Sequence, residues 1–256
     1  MKILAIDTTA ITAAAALVED SKPVGCTVQN GTLTHSETML NMIENLLQNS
    51  HTAIDDLDLL AVSAGPGSFT GVRIGVSIIK GLAFGKHIPC IPVSTLEALA
   101  ENLAPHAALL SAASGTNGFA PFYACPVMDA RRSQLYTALF RYETDASGKI
   151  VCTRITKDDM LSAEALSAQL SRLDAPVYFV GEGCRITEKE ISPYLPHCAE
   201  VPECIRYQSG YSVAKVAKRI YEAAEDQTIF SDIALKPIYL RPSQAERERS
   251  AHTDHT

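Results

Sequence analysis

Two short turns carry the side chains of this sequence best suited to chemistry. Asp7-Thr8-Thr9 closes the first apolar run, and Asp129 closes a later one, Phe122–Met128. An aspartate beside small hydroxyl residues in a tight turn can hold Mg²⁺ through water and face phosphate oxygens. The same residues can equally form an Asx-turn, in which Asp7 accepts from nearby backbone N–H groups. Asp7, Thr8, Thr9 and Asp129 are therefore candidate phosphate-facing residues, with both readings open. A third feature is Gly65-Pro-Gly-Ser-Phe-Thr-Gly-Val-Arg-Ile-Gly75. A glycine-rich link between a strand and a helix N-terminus can cradle an anion. This one lacks the Lys-Ser/Thr ending of a P-loop and the spacing of a dinucleotide fingerprint. Gly71 and Gly75 lie on one helix face, and each costs about 1 kcal/mol relative to alanine. Something must pack closely there, either the helix at 35–48 or another chain.

Other chemistry-bearing residues offer less. Cys184, His197, Cys198 and Cys204 lack the tight Cys-X₂₋₄-Cys spacing of a zinc site, so no metal is expected. His35 and His51 flank a helix singly. Ser68 is placed to cap the helix that follows it. Arg131-Arg132 lies in a hairpin beside Asp129, where it faces a phosphate, or else forms a salt bridge or a solvated turn.

These residues need elements to position them. Lys2–Thr8, Thr12–Val18 and Pro23–Val28 read as three successive strands. His35–Gln48 has helical spacing, and Thr34 with Glu37 fits a capping box. Leu57–Ala64 is a strand running into the glycine string, and a helix extends from Ser68 to about Phe84. Ile88–Val93 is another strand, and Ser94 opens a helix that ends before Pro105. The first half reads βββαβαβα, a mixed sheet with a hairpin portion and parallel crossovers. The Ala-, Ser- and Gly-rich stretch 107–121 reads as a linker or mobile loop and is assigned no role. The order then restarts: Phe122–Met128 pairs with Gln134–Tyr142, Ile150–Ile155 is a strand, and Ala163–Leu173 a helix. Val177–Val180 is a short strand before Gly181-Glu-Gly183. Tyr211–Ala224 is an amphipathic helix. Asp7 and Asp129 thus occupy matching places in two halves, a repeat of element order. The expected division is a first domain over 1–105 and a second over 106–241, whose late helix 211–224 packs back on the first. The polar tail 242–256 is expected to be disordered.

Composition sets the outer limits. The chain has 256 residues, 46% hydrophobic and 20% charged, enough for one large or two small cores. Its net charge of −7 argues against a chain whose main task is gripping phosphate backbone. Seven cysteines without framework spacing, no signal peptide and no apolar run of spanning length lead to an expectation of a soluble cytoplasmic protein with reduced thiols.

Four strings, taken together and in order, resemble the TsaB (YeaZ) family: Ile6-Asp7-Thr8-Thr9, the glycine string, Met128-Asp129-Ala130-Arg131-Arg132 and Leu235-Lys-Pro-Ile-Tyr-Leu-Arg241. The resemblance implies two actin-like (ASKHA, ribonuclease-H-like) α/β domains with mixed sheets. It implies a non-catalytic scaffold that activates a TsaD-type catalytic paralogue, with a TsaE-type ATPase, in placing threonylcarbamoyl on adenosine 37 of ANN-decoding tRNAs. The isolated chain is expected to need no cofactor, with ATP or ADP at the assembled complex and tRNA reached through it. A homodimer is expected when the chain is alone. The two helices at 35–48 and 69–84 would form the partner surface, with Met39, Phe69, Gly71, Val72, Gly75 and Val76 as contacts and Arg73 as polar anchor. The catalytic sibling carries a His-X-X-X-His pair that two positions here replace with Thr95 and Leu99, which speaks against metalloprotease chemistry. The rival reading is a stand-alone ATPase or small-molecule kinase of the same fold, using Asp7 and Asp129.

Overall fold

The computed structural model describes residues 1–31, 34–112 and 118–241. The first sheet is built from β1 (Lys2–Asp7), β2 (Thr12–Glu19), β3 (Lys22–Asn30), β4 (Leu59–Gly65) and β5 (Cys90–Ser94), in the order β3-β2-β1-β4-β5. β1, β2 and β3 pair antiparallel, whereas β4 and β5 add in parallel. The parallel additions require crossovers, which α1 (His35–Asn49) and α2 (Phe69–Ala83) supply. The capping box at Thr34 forms: the Glu37 carboxylate accepts from Thr34 N–H at 2.9 Å. Ser68 caps α2 by accepting from the Gly71 N–H.

Alternation along the strands sorts side chains to two faces. Leu4, Ile6 and Val62 meet Met39, Ile43, Val72 and Val76 of α1 and α2. Ile3, Ala5 and Ala61 face the other way, onto Val213, Val216 and Ala217 of a late helix, Gly210–Ala223. That helix comes from the end of the chain and lies on the first sheet. Between the sheets runs α3 (Thr95–Glu101). Its Ala98 packs with the first sheet, while Leu96, Leu99 and Ala100 pack with the second.

The stretch from 107 departs from the expected loop. α4 (Ala107–Ala112) continues the chain as a short helix with Ala107 and Ser111 buried, and Ser111 accepts from the Ala120 N–H at 2.6 Å. Alanine and leucine favour a helix wherever one face finds cover.

The second sheet contains β6 (Phe122–Arg131), β7 (Gln134–Thr137), β8 (Phe140–Thr144), β9 (Ile150–Arg154), β10 (Asp159–Ser162), β11 (Val177–Val180) and β12 (Cys198–Glu200). α5 (Ala163–Leu170) and α6 (Cys184–Glu190) cover one face, and α7 (Glu203–Arg206) leads into α8, the late helix at Gly210–Ala223. The expected strand Gln134–Tyr142 is split into β7 and β8. Both pair with β6 in one register, Val127 with Thr137 and Ala124 with Phe140. The interruption at Ala138-Leu139 lies opposite Pro126, which has no N–H to donate. Leu139 instead binds the next segment, its carbonyl accepting from Ile155 N–H at 2.7 Å. The tail from 242 and residues 113–117 lie outside the described residues.

Candidate functional site

The turn after β1 is folded inward. Asp7 is 1% exposed, and Thr8 and Thr9 are fully buried. One Asp7 carboxylate oxygen accepts from the Thr9 N–H at 2.9 Å and the Thr9 hydroxyl at 2.7 Å; the other accepts from Ser63 at 2.5 Å. Burial pushes the Asp7 pKa up, against the pull of those three donors. The Thr8 hydroxyl donates to the Gly71 carbonyl at 2.7 Å, and Ser68 N–H donates to the Thr9 carbonyl at 2.7 Å. The expectation that Asp7, Thr8 and Thr9 face phosphate is thereby corrected: their polar atoms are engaged inside the first half. The Asx-turn is the arrangement that forms.

The glycine string is the seat of that turn. A Cβ at Gly67 would stand 2.5 Å from the Thr9 carbonyl oxygen, and one at Gly75 would stand 2.5 Å from the Thr8 hydroxyl and 3.1 Å from Val62. At Gly71 it would overlap the Thr8 carbonyl. The close-packing element that Gly71 and Gly75 demand is thus the chain's own β1–β2 turn, neither another chain nor the helix at 35–48. Met39, Val72 and Val76 are buried in the same core. These five residues, expected at a partner surface, are buried, and of them Gly71 alone meets the cleft described below. Of the expected set only Phe69 and Arg73 escape burial.

Over the turn lies a cleft of about 870 Å³ between the two halves. Its floor includes Ala10, Ile11 and Ser68, and its far wall Asp129, Arg131, Glu182 and Arg185. Asp129 stays in the cleft. It accepts from the Arg131 N–H at 2.7 Å, with the Arg131 guanidinium at 3.6 Å. Arg131, Arg132 and Ser133 all have positive φ, 66°, 55° and 57°, a backbone conformation unfavourable for side chains with a Cβ. Glu182 stands between Gly181 and Gly183, whose missing side chains let the loop touch Val127. Burial raises the Glu182 pKa and Asp129 adds to the rise, while the Ile11 N–H, Arg131 and Arg185 oppose it. His35 closes one end, its Nε2 2.6 Å from the Ala10 carbonyl.

A strap formed by the last described residues makes the remaining wall. Ile238 N–H donates to the Ala64 carbonyl at 2.7 Å. Tyr239 stacks on Phe69 with centroids 4.8 Å apart, and Arg73 lies 3.9 Å over Phe69 while donating to the Tyr239 hydroxyl at 2.9 Å. Leu240 packs into the second core, and Arg241 donates to the Ala130 carbonyl at 2.8 Å. The strap thus joins α2 to the β6–β7 hairpin. Sequence reasoning passed over Glu182, Arg185, Tyr239 and Arg241. The available signal was the Gly181-Glu-Gly183 pair of glycines and the alternating Ile238-Tyr-Leu-Arg241.

Thr95 and Leu99, the two positions expected to stand where a catalytic sibling has histidines, sit deep: Thr95 is fully buried and Leu99 is 1% exposed. Glu97 beside them is bound by Arg154 at 3.0 Å and Arg219 at 2.9 Å, a brace joining α3, β9 and α8. Among the described residues no group of His, Cys, Asp and Glu is arranged to hold a metal. Nor is any described helix long and apolar enough to cross a membrane.

Comparison with known proteins places this arrangement among relatives. A family model described as TsaD, tRNA N6-adenosine threonylcarbamoyltransferase, matches residues 29–246. The tRNA threonylcarbamoyladenosine biosynthesis protein TsaB of Bacillus subtilis is 30% identical over 246 residues, 96% of each chain. TsaB of Escherichia coli is 33% identical over 183 residues, 72% of each chain. Among solved structures, YeaZ from Pseudomonas aeruginosa aligns with a TM-score of 0.68 at 22% identity, over 93% of this chain and 99% of that one. At that identity the likeness bears on fold alone: α/β, of the actin-like type with mixed sheets.

Proposed function

The chain belongs to the TsaB family, and to the wider TsaD-type family whose model it matches; from that premise we propose that it is a non-catalytic subunit in the formation of threonylcarbamoyladenosine in tRNA, acting by docking onto a TsaD-type catalytic partner. One observation carries the non-catalytic part. Asp7, the carboxylate that a stand-alone ATPase or kinase would aim at Mg²⁺ and phosphate, is enclosed by Ser63 and Thr9 beneath the cleft floor.

The outer face of α1 and α2 supports the docking part. Leu40 is 52% exposed and Phe84, just past α2, is 80% exposed. Leu40 lines a groove of about 560 Å³ with Ile43, Leu47, Ile54 and Leu82, and Glu44, Gln48 and His51 share the lining. Gly81, exposed on α2 one residue before the groove-lining Leu82, has nothing within 4 Å of where its Cβ would be, which leaves room for a second helix. A specific contact here would bury about 1,200–2,000 Å² in total. The same face would serve a homodimer of the free chain. A TsaE-type ATPase and ATP or ADP would join at the assembled complex, and tRNA modification would take place there.

Sedimentation velocity of this chain, titrated with the TsaD-type protein of the same source, tests the reading. A one-to-one species is expected. Leu40→Glu and Gly81→Arg, both at exposed positions, should abolish it and tRNA modification while circular dichroism stays unchanged. A charge at buried Gly75 would report only on folding. Failure of the folded pair to associate with nucleotide present, or Mg·ATP turnover by the isolated chain that Asp7→Asn abolishes, would overturn the proposal.

A further inference from the structure

The cleft gathers basic side chains within an acidic chain. Three arginines line it, Arg131, Arg185 and Arg241, and Arg132 adjoins them on the hairpin tip. They converge although they come from three separate segments, because the Arg241 guanidinium is anchored on the carbonyl of Ala130, next to Arg131. The acids that answer them are Asp129 and Glu182. The Arg131 side chain is 83% exposed and 3.6 Å from Asp129, a surface pair of little worth. Arg132 and Arg185 form no ion pair with any described residue. A chain with net charge −7 thus gathers four arginines against two acids at this cleft. The backbone that presents two of them is held at three successive positive φ values, a conformation that persists only where its surroundings enforce it.

An aromatic surface accompanies the charge. Tyr239 is 41% exposed and lies in the cleft wall, backed by Phe69 and Arg73. Guanidinium groups for phosphates next to a supported aromatic face for a base are what single-stranded RNA requires. Asp7, by contrast, is closed off below the floor and offers no oxygen toward a Mg²⁺-bound polyphosphate.

We infer that the cleft rim formed by Arg131, Arg132, Arg185 and Arg241, with Tyr239, docks a single-stranded segment of the tRNA, contacting its phosphodiester backbone and stacking one base. This deepens, and rests on, the reading of the chain as a subunit that serves tRNA modification. The rim adds a direct RNA contact to a role otherwise exercised through a protein partner.

The test uses the full chain and a fluorescently labelled, unmodified substrate tRNA transcript, followed by anisotropy at low ionic strength over a salt series. Wild type is expected to bind with a steep salt dependence. Arg131→Ala/Arg132→Ala should weaken binding and flatten the slope of log affinity against log salt by about 1.4, two single-strand contacts at about 0.7 each. Tyr239→Leu should lose about tenfold with the slope unchanged, because stacking releases no counterions. Arg172→Ala, an exposed arginine outside the cleft, should bind as wild type. Circular dichroism confirms that each variant is folded. No RNA binding by wild type, or binding that the double arginine variant retains, overturns the inference. ADP or inorganic phosphate bound with the same arginine dependence, and no binding of the transcript, would assign the rim to free nucleotides and overturn it too. The readout does not depend on association with the TsaD-type protein, so failure here and failure of the docking proposal are told apart.

Discussion

Replacing two glycines of one helix by alanine should change stability in opposite directions. Gly75 and Gly81 both lie within α2, and an alanine at either gains about 1 kcal/mol of helix propensity. At Gly81 nothing stands within 4 Å of the added methyl, so Gly81→Ala should stabilise by about 0.5–1 kcal/mol. At Gly75 the methyl would stand 2.5 Å from the Thr8 hydroxyl and 3.1 Å from Val62. Clearing it means moving a buried hydroxyl off the Gly71 carbonyl that it binds at 2.7 Å. Losing that bond with the oxygen left buried costs about 1–3 kcal/mol, and overpacking against Val62 about 1–3 kcal/mol more. After the propensity gain, Gly75→Ala should destabilise by roughly 1–5 kcal/mol. Urea unfolding followed by circular dichroism measures both. Equal signs, or a Gly75→Ala variant as stable as Gly81→Ala, would refute the claim that the glycine face is the seat of the Asp7 turn.

Two ionisable groups give further tests. The Asp7 pKa is raised by burial, so its favourable contribution is fully present below the ordinary value of 3.8 and declines as pH rises through the folded value. Asp7→Asn should therefore gain stability relative to wild type as pH goes from about 3 to 7; an advantage that shrinks over that range would contradict the enclosed carboxylate. Glu97 behaves oppositely. Burial works against its charge, but Arg219 and Arg154 outweigh it and hold the pKa below the ordinary 4.5. Glu97→Gln should cost about 1–2 kcal/mol at pH 7, discounted for the half-exposed Arg219, and the gap to wild type should close as pH falls below 4.5 through the folded value. A gap independent of pH, read from urea midpoints at several pH values, would show that the brace does not depend on the Glu97 charge.

The parts legible in the sequence were those encoded locally. The capping box at Thr34, the Ser68 cap and the apolar run of β1 each depend on neighbours a few residues away. β10 and β12, Asp-Met-Leu-Ser and Cys-Ala-Glu, are short and carry no apolar run like that of β11, and went unread. The split of Gln134–Tyr142 needed the register that sets Pro126 opposite Ala138, a relation across the hairpin. Residues 107–112 looked like a linker because their composition is small and apolar; the burial that makes them a helix comes from elsewhere in the chain. The cleft was harder still. Arg131, Arg185 and Arg241 lie in separate segments, and nothing in their spacing announces that Arg241 will bind beside Arg131.

The Asp7 turn marks where sequence reasoning has to stop and geometry decide. A phosphate-facing turn and an Asx-turn ask for the same residues, a carboxylate and small hydroxyl groups, so residue type cannot separate them. The orientation is set by the helix the turn rests on. Gly67, Gly71 and Gly75 let α2 approach until Thr8 and Thr9 bind its N-terminal turn, and this closeness buries the carboxylate. The same helix then has an inner face committed to that seat and an outer side left open around Gly81, next to the groove-lining Leu82. Its first turn holds the strap through Phe69, Arg73 and Tyr239. A partner docked on the outer face would press on a helix whose N-terminus carries one wall of the arginine-lined cleft. Docking and RNA contact would then be coupled through a single rigid element, with no turnover required of the chain itself.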